Sequence, residues 1–171
     1  MSTETSPKPR RLLLILGALS VITAVLAGVL YFTLYRSDRR VDDSVRAAVT
    51  DTASQGAIAL LSYRPDTVER DVGSARDRLT GEFLDYYTKF TTEVVIPAAK
   101  ESQVATQATV AASGPVDVQA DTARVLLFVN QTTTSAAKPD PATTATSIDV
   151  TLTKSGDNWL ISGFDPVQAH E

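Results

Sequence analysis

Twenty-four residues without a charge, Leu12 to Tyr35 (LLLILGALSVITAVLAGVLYFTLY), constrain this chain more than any other feature. At ~1.5 Å per residue a helix of that length crosses a hydrocarbon core of ~30 Å. Arg10 and Arg11 precede the stretch and Arg36 follows it. Tyr31, Phe32 and Tyr35 gather at its C-terminal end, where aromatic rings favour the headgroup level. A cleaved secretory signal also begins basic and then apolar, but its core runs only about 7–15 residues and ends at a small-x-small site. Here the run is longer and ends in bulky Leu30-Tyr31-Phe32 and Leu34-Tyr35, which favours an uncleaved signal-anchor. The expected organisation is a cytoplasmic tail over 1–11, a transmembrane helix over 12–35 and one extracytoplasmic domain over 36–171.

Within the span, Ser20, Ala24 and Gly28 recur every four residues and form a candidate packing face, with Gly17 and Ala27 beside it. Small residues let helices approach closely in lipid, although glycine and alanine are also common in any span. The positive-inside comparison is level, with Lys8, Arg10 and Arg11 on one side and Arg36, Arg39 and Arg40 on the other. The short N-terminal tail and the lack of cysteine favour a cytoplasmic N-terminus with the domain outside, in a single-pass plasma-membrane arrangement.

Composition then narrows the chemistry. From Arg36 onward 13 basic residues face 19 acidic ones, which argues against nucleic acid as a partner. With no cysteine, disulfides, thiolate metal sites and thiol nucleophiles are excluded together. The single histidine, His170, stands next to the C-terminus, where it lacks an orienting partner and a dry site. No Gly-rich phosphate loop and no metal-ligand motif is present, so neither cofactor nor metal is expected. An aspartate base in an apolar cone is conceivable at Asp85, beside Tyr86 and Tyr87, but Asp85 falls off the aromatic stripe. Asn130-Gln131-Thr132 matches a glycosylation sequon, a pattern common by chance.

Helical spacing of Val45, Val49, Ala53, Ala57, Leu60 and Leu61 predicts a first helix over about 43–62. Pro65 ends it, and Asp66 to Glu69 reads as a capping box for a second helix carrying Val68, Val72, Ala75 and Leu79 on one side. Thr80-Gly81 punctuates. A third helix follows, with Phe83, Tyr86, Tyr87, Phe90 and Val94 in a stripe expected to form the hydrophobic centre or to line an apolar pocket. Pro97 is expected to kink or end that helix.

From Gln103 the period changes to two. One strand is expected through Val104–Ala112, with turns at Gly114-Pro115 and Ala120-Asp121. A strand over Ala123–Thr132 reads as central and buried on both faces. Residues 132–147 read as a long mobile loop, and two further strands flank a turn at Ser155-Gly156-Asp157. A helical part over about 43–102 and a sheet part over about 103–165 make an α+β domain. About three helices on a curved antiparallel sheet of about four strands is the cone of the nuclear-transport-factor-like or SnoaL-like fold.

The span followed by LTGEFLDYYTKFTTEVVIPAAKES (79–102), ARVLLFVNQTTT (123–134) and NWLISGFDPV (158–167) resembles the Mce-associated membrane proteins, found with the mammalian-cell-entry (Mce) lipid importers of actinobacteria. Thr80-Gly81-x-Phe83, Val129-Asn130-Gln131 and Asp165-Pro166-Val167 carry the likeness in combination. The resemblance implies a non-enzymatic accessory subunit that stabilises a lipid or sterol importer, with Mce proteins and permease subunits as partners. It also implies similarity to the periplasmic scaffold domain of type IV secretion systems, and it places the domain outside the cytoplasm. Alternatives that stay open are a lipid-binding module, with lipid under Phe83, Tyr87 and Phe90, and a scaffold that forms homo-oligomers.

Overall fold

The computed structural model describes residues 43–167, so the tail, the apolar stretch with its Ser20/Ala24/Gly28 face, and His170 lie outside the described residues. Among the described residues no helix is long and apolar enough to cross a membrane.

The apolar spacing after Asp43 does form a helix, α1 (Asp43–Leu61), which buries Val49, Ala53, Gly56, Ala57 and Leu60. Short side chains on this stripe let the helix lie close to the sheet. At Gly56 the approach is so close that a Cβ would stand 2.3 Å from Cδ1 of Ile161. The second helix, α2 (Val68–Arg76), buries Val68, Val72 and Ala75, and Leu79 just beyond it is buried as well.

The expected capping box does not form. Thr67 is the N-cap, without a side-chain cap bond. Its hydroxyl instead donates to Oδ2 of Asp71 at 2.5 Å. Glu69 is drawn away by Lys100, whose Nζ donates to Oε1 at 2.6 Å and pulls the Glu69 carboxyl below its ordinary value.

The third helical region is built in three pieces: α3 (Gly81–Phe90), a π-helical turn at Thr91–Val95, and α4 (Ile96–Ser102). Pro97 does not end the helix; it sits in the first turn of α4. Its ring would clash with the carbonyl four residues earlier in an α-helix. The wider π turn just before it relieves that clash. Gln103, in the left-handed region at φ 53°, closes α4.

Four antiparallel strands follow in the order β1 (Ala105–Val118), β2 (Thr122–Thr134), β3 (Ala142–Ser155) and β4 (Asn158–Pro166). Helices on one face of a four-stranded meander are the α+β arrangement expected. Gly156, at φ 62°, supplies the turn between β3 and β4.

Three details of the sheet differ from expectation. Gly114-Pro115 is not a turn but part of β1, flanked by register shifts. A proline is tolerated there because β1 is an edge strand. Next, β2 is central but covered on one face only. Ala123, Val125, Leu127 and Val129 are buried, whereas Phe128 is 47% exposed. The apolar run therefore feeds both faces, and only the inner one meets helices. Finally, the long loop shrinks to residues 135–141, because Thr132 pairs with Thr143 and Thr133 with Ala142. Threonine suits a pleated strand well, and that preference outweighs the lack of alternation. The core is then the inner sheet face, chiefly Val125, Leu127, Val150, Leu152 and Ile161, against α1 and α2.

Candidate functional site

Phe83, Tyr86, Tyr87 and Phe90 all lie on α3, whose start is tied to the sheet. The Thr80 amide donates to the Ile161 carbonyl and the Ile161 amide donates to the Arg78 carbonyl, each at 2.9 Å. Gly81, at φ 64°, then turns the chain from this bridge into the helix. The sequence signal Thr80-Gly81 thus fixes where the aromatic stripe begins.

That stripe divides. Phe83 is half-buried and packs with its ring 6.1 Å from that of Phe164 on β4, the planes 16° apart. Tyr87 is buried, and its hydroxyl donates to the Leu60 carbonyl at 3.4 Å. Burial first, and the neighbouring Tyr63 second, push the Tyr87 hydroxyl up to about 12, against a smaller opposing pull from Arg76. Below it, the buried Thr91 donates its hydroxyl to the Tyr87 carbonyl at 2.7 Å, anchoring the π turn.

Tyr86 and Phe90, by contrast, face out. They are 63% and 42% exposed, and Val94 beyond them is 49% exposed. The rings of Tyr86 and Phe90 stack on each other at 6.0 Å with 6° between planes. Together with Val94 they make an apolar ridge along the outer side of α3 and the π turn. The stripe is therefore only in part the hydrophobic centre. At about 100° per residue Tyr86 and Phe90 fall to one side of Phe83 and Tyr87, and the π turn at Thr91–Val95 breaks the 3.6-residue register before Val94.

Under α3, where the apolar pocket is expected, Phe83 packs against the core beside the buried Tyr87, their ring centroids 6.3 Å apart. Surface clefts with mixed polar and apolar linings occur at two places. One lies between α1 and β1 at Arg46, Thr50, Asp51 and Ser113, and another along α3 at Arg76, Asp85, Lys89 and Glu93. Asp85 is exposed, so the aspartate-base alternative lacks the buried carboxylate it requires. Among the described residues no group of His, Asp and Glu is placed to hold a metal. Asn130 of the sequon lies on the exposed face of β2.

Sequence reasoning did not single out Phe164 as the ring that receives Phe83, or Gly56 as the close-approach point. Phe164 stands inside the NWLISGFDPV segment, so a signal existed; for Gly56 a lone glycine within an alanine-rich stripe gave little.

The family described as "Uncharacterized protein Rv1363c/MT1408-like" matches residues 12–167. Uncharacterized protein Rv1362c of Mycobacterium tuberculosis (strain ATCC 25618 / H37Rv) is 44% identical over 164 residues, spanning 96% of this chain and 74% of that protein. A second relative from the same strain, named Outer membrane protein Rv1973, is 54% identical over 122 residues, which are 71% of this chain and 76% of its own length. Among solved structures, the periplasmic domain of DotI superposes with a TM-score of 0.59 at 19% identity, covering 72% of this chain and 95% of that one. VirB8 of Agrobacterium tumefaciens gives 0.56 at 12% identity, covering 73% and 94%. At such identities the likeness is one of fold, and it confirms the cone of helices on a four-stranded sheet. The family match over residues 12–167, with a relative 44% identical over 96% of this chain, shows that this chain belongs to the Rv1363c/MT1408-like family.

Proposed function

We propose that this protein is a non-enzymatic scaffold subunit, anchored by residues 12–35 as a single plasma-membrane span, whose domain outside the cytoplasm holds partner proteins of an envelope complex. The observation that carries this reading is the division of the aromatic stripe. A cone that handles a small molecule keeps an apolar cavity for it, whereas here Phe83 packs ring to ring with both Tyr87 and Phe164. Aromatic surface is instead turned outward at Tyr86 and Phe90, the residue types that dominate protein–protein contacts. The shared fold with DotI and VirB8 and the name of the Rv1973 relative support an envelope setting.

A second reading concerns the machine served. The ordered motifs Thr80-Gly81-x-Phe83, Val129-Asn130-Gln131 and Asp165-Pro166-Val167 favour an accessory role in an Mce-type lipid or sterol importer, with Mce proteins and permease subunits as partners. Photo-crosslinking in native membranes separates the two, with a photoreactive residue at Ala24 in one variant of the full chain and at Tyr86 in another. Capture of secretion-type envelope subunits from Tyr86 supports the first reading. Capture of Mce or permease components supports the second. Adducts with lipid alone at Tyr86 overturn both.

A further inference from the structure

The sheet has β1 and β4 at its edges, and where β4 stops β3 adds a short free edge of its own. β1 is guarded: Pro115 removes a donor, and register shifts at Val110/Ala112 and Pro115/Asp117 distort the ladder, both familiar devices against edge pairing. β3 is guarded over only part of its length. β4 pairs with it from Ile148 to Ser155, and the Val167 amide adds one bond to the Ser147 carbonyl at 2.8 Å. Beyond that point Ala142–Thr146 pairs with β2 alone among the described residues, and all five residues are exposed.

The direction of the Ser147 carbonyl fixes the rest. Alternate residues of a strand present their amide and carbonyl to the same edge, so Thr143 and Ala145 point theirs outward with Ser147. The close approach of the Thr132 and Thr143 hydroxyls, 3.1 Å, agrees, since residues opposite one another without backbone bonds have the closer side chains. The free edge is therefore two donors and two acceptors in a strand, ATTAT, with no charge, proline or bulge.

We infer that this edge pairs with the same edge of a second copy, antiparallel and about a two-fold axis at Thr144. An isologous contact requires a surface that complements itself. About Thr144, Thr143 meets Ala145 of the second copy and Ala145 meets its Thr143, and all four outward groups are satisfied. Thr144 faces Thr144, and Ala142 faces Thr146. No like charges meet anywhere in the pairing, which a charged edge would not allow. The match ends where it must: at one end β4 occupies the edge, at the other Pro141 takes the chain into the loop. Two meanders would join into one continuous sheet. This pairing is independent of which envelope complex the protein serves.

The absence of native cysteine gives a direct test on the full chain in native membranes. Across the axis two residues at position 144 stand ~4.5 Å apart at Cα, as for any pair without backbone bonds, within the ~4.4–6.8 Å that a disulfide spans. Under mild oxidation Thr144→Cys is expected to give on the order of tenfold more covalent dimer than Asp157→Cys in the β3–β4 turn, because pairing raises the effective concentration. Adding Ala145→Pro, which removes an outward amide and leaves the β2 ladder intact, is expected to return the yield to the control level. Equal yields for Thr144→Cys and Asp157→Cys, or a Thr144→Cys dimer that survives Ala145→Pro, overturn the pairing. If Ala145→Pro lowers the amount of folded protein, Thr144→Lys replaces it as the disrupting change: like charges across the axis must abolish cross-linking of Ala142→Cys to Thr146→Cys in a mixed sample, and persistence of that cross-link is equally fatal.

Discussion

α1 and α3 are helices of opposite design. α1 carries alanine, glycine and valine on its inner stripe, and that stripe vanishes into the sheet: Val49, Ala53 and Ala57 are wholly buried. α3 carries four aromatics in the eight residues 83–90, yet only Tyr87 of the four is buried, and the Tyr86–Phe90 ridge lies in water. Size and hydrophobicity therefore do not rank the two by burial. Close approach to a sheet is limited by side-chain length, so the helix nearest the sheet needs short residues. A longer aromatic on a helix held farther out can reach the core with one side of its ring set and leave the other exposed. The two helices thus differ in what they leave outside: α1 leaves Ile58 alone among its large apolar side chains, whereas α3 leaves the stacked pair Tyr86 and Phe90.

The largest effect is expected where α1 touches the sheet. Gly56→Val places new carbon where Cδ1 of Ile161 already stands. Overpacking of this kind costs about 1–3 kcal/mol, whereas Ile161→Ala alone removes buried methyls at about 2–5 kcal/mol. Because each change relieves the other, the double variant is expected to be more stable than the sum predicts, by about 0.5–3 kcal/mol of coupling. Urea denaturation of the four proteins in the cycle measures this. Strict additivity would break the claim that α1 lies against β4 with no spare room.

A second test falls on the buried side of α3. The Tyr87 hydroxyl is raised from its ordinary value to about 12 by burial. A raised acid of this kind favours the folded state fully below its unfolded value near 10, and that contribution is lost as pH climbs from about 10 to about 12. Stability is thus expected to fall across that window, and Tyr87→Phe is expected to flatten the fall. The variant also gives up the 3.4 Å bond to the Leu60 carbonyl, a loss of about 0.5–1.5 kcal/mol at neutral pH. Thermal melts from pH 8 to 12 would check both parts.

Much of this was legible beforehand, and the gaps have physical causes. Helical and strand periods are local, so the boundaries of α1 and the central place of β2 could be read from spacing, whereas the solid apolar run of β2 hid that only one of its faces is covered. Which aromatics reach the core could not be read that way. That depends on the angle at which α3 meets β4, fixed by the Thr80–Ile161 bridge between residues far apart in sequence. The same holds for the threonine-rich segment after Gln131: its strand character emerges only once β2 and β3 pair, and the free edge it leaves is a property of where β4 stops.

The smallest expected effect sharpens the comparison most. Phe90→Ser and Tyr86→Ser act on residues whose rings stack on each other, with Tyr86 also 6.4 Å from the Phe83 ring, and neither belongs to the core cluster. Substitutions at exposed positions away from buried networks usually change stability by less than about 0.5 kcal/mol. The pair of changes on the ridge is therefore expected to leave the urea midpoint nearly unmoved, although it removes two large aromatic rings. An equivalent loss of apolar surface from α1, at Val49 and Leu60, would not pass unnoticed, since both are buried in the core cluster. If the ridge variant proves as destabilised as a core variant, its rings belong to the fold and α3 has no side reserved for a partner. If stability holds while recovery of partner subunits from membranes falls, the exposed aromatics are kept for recognition, and the difference between the two helices is one of purpose as well as size.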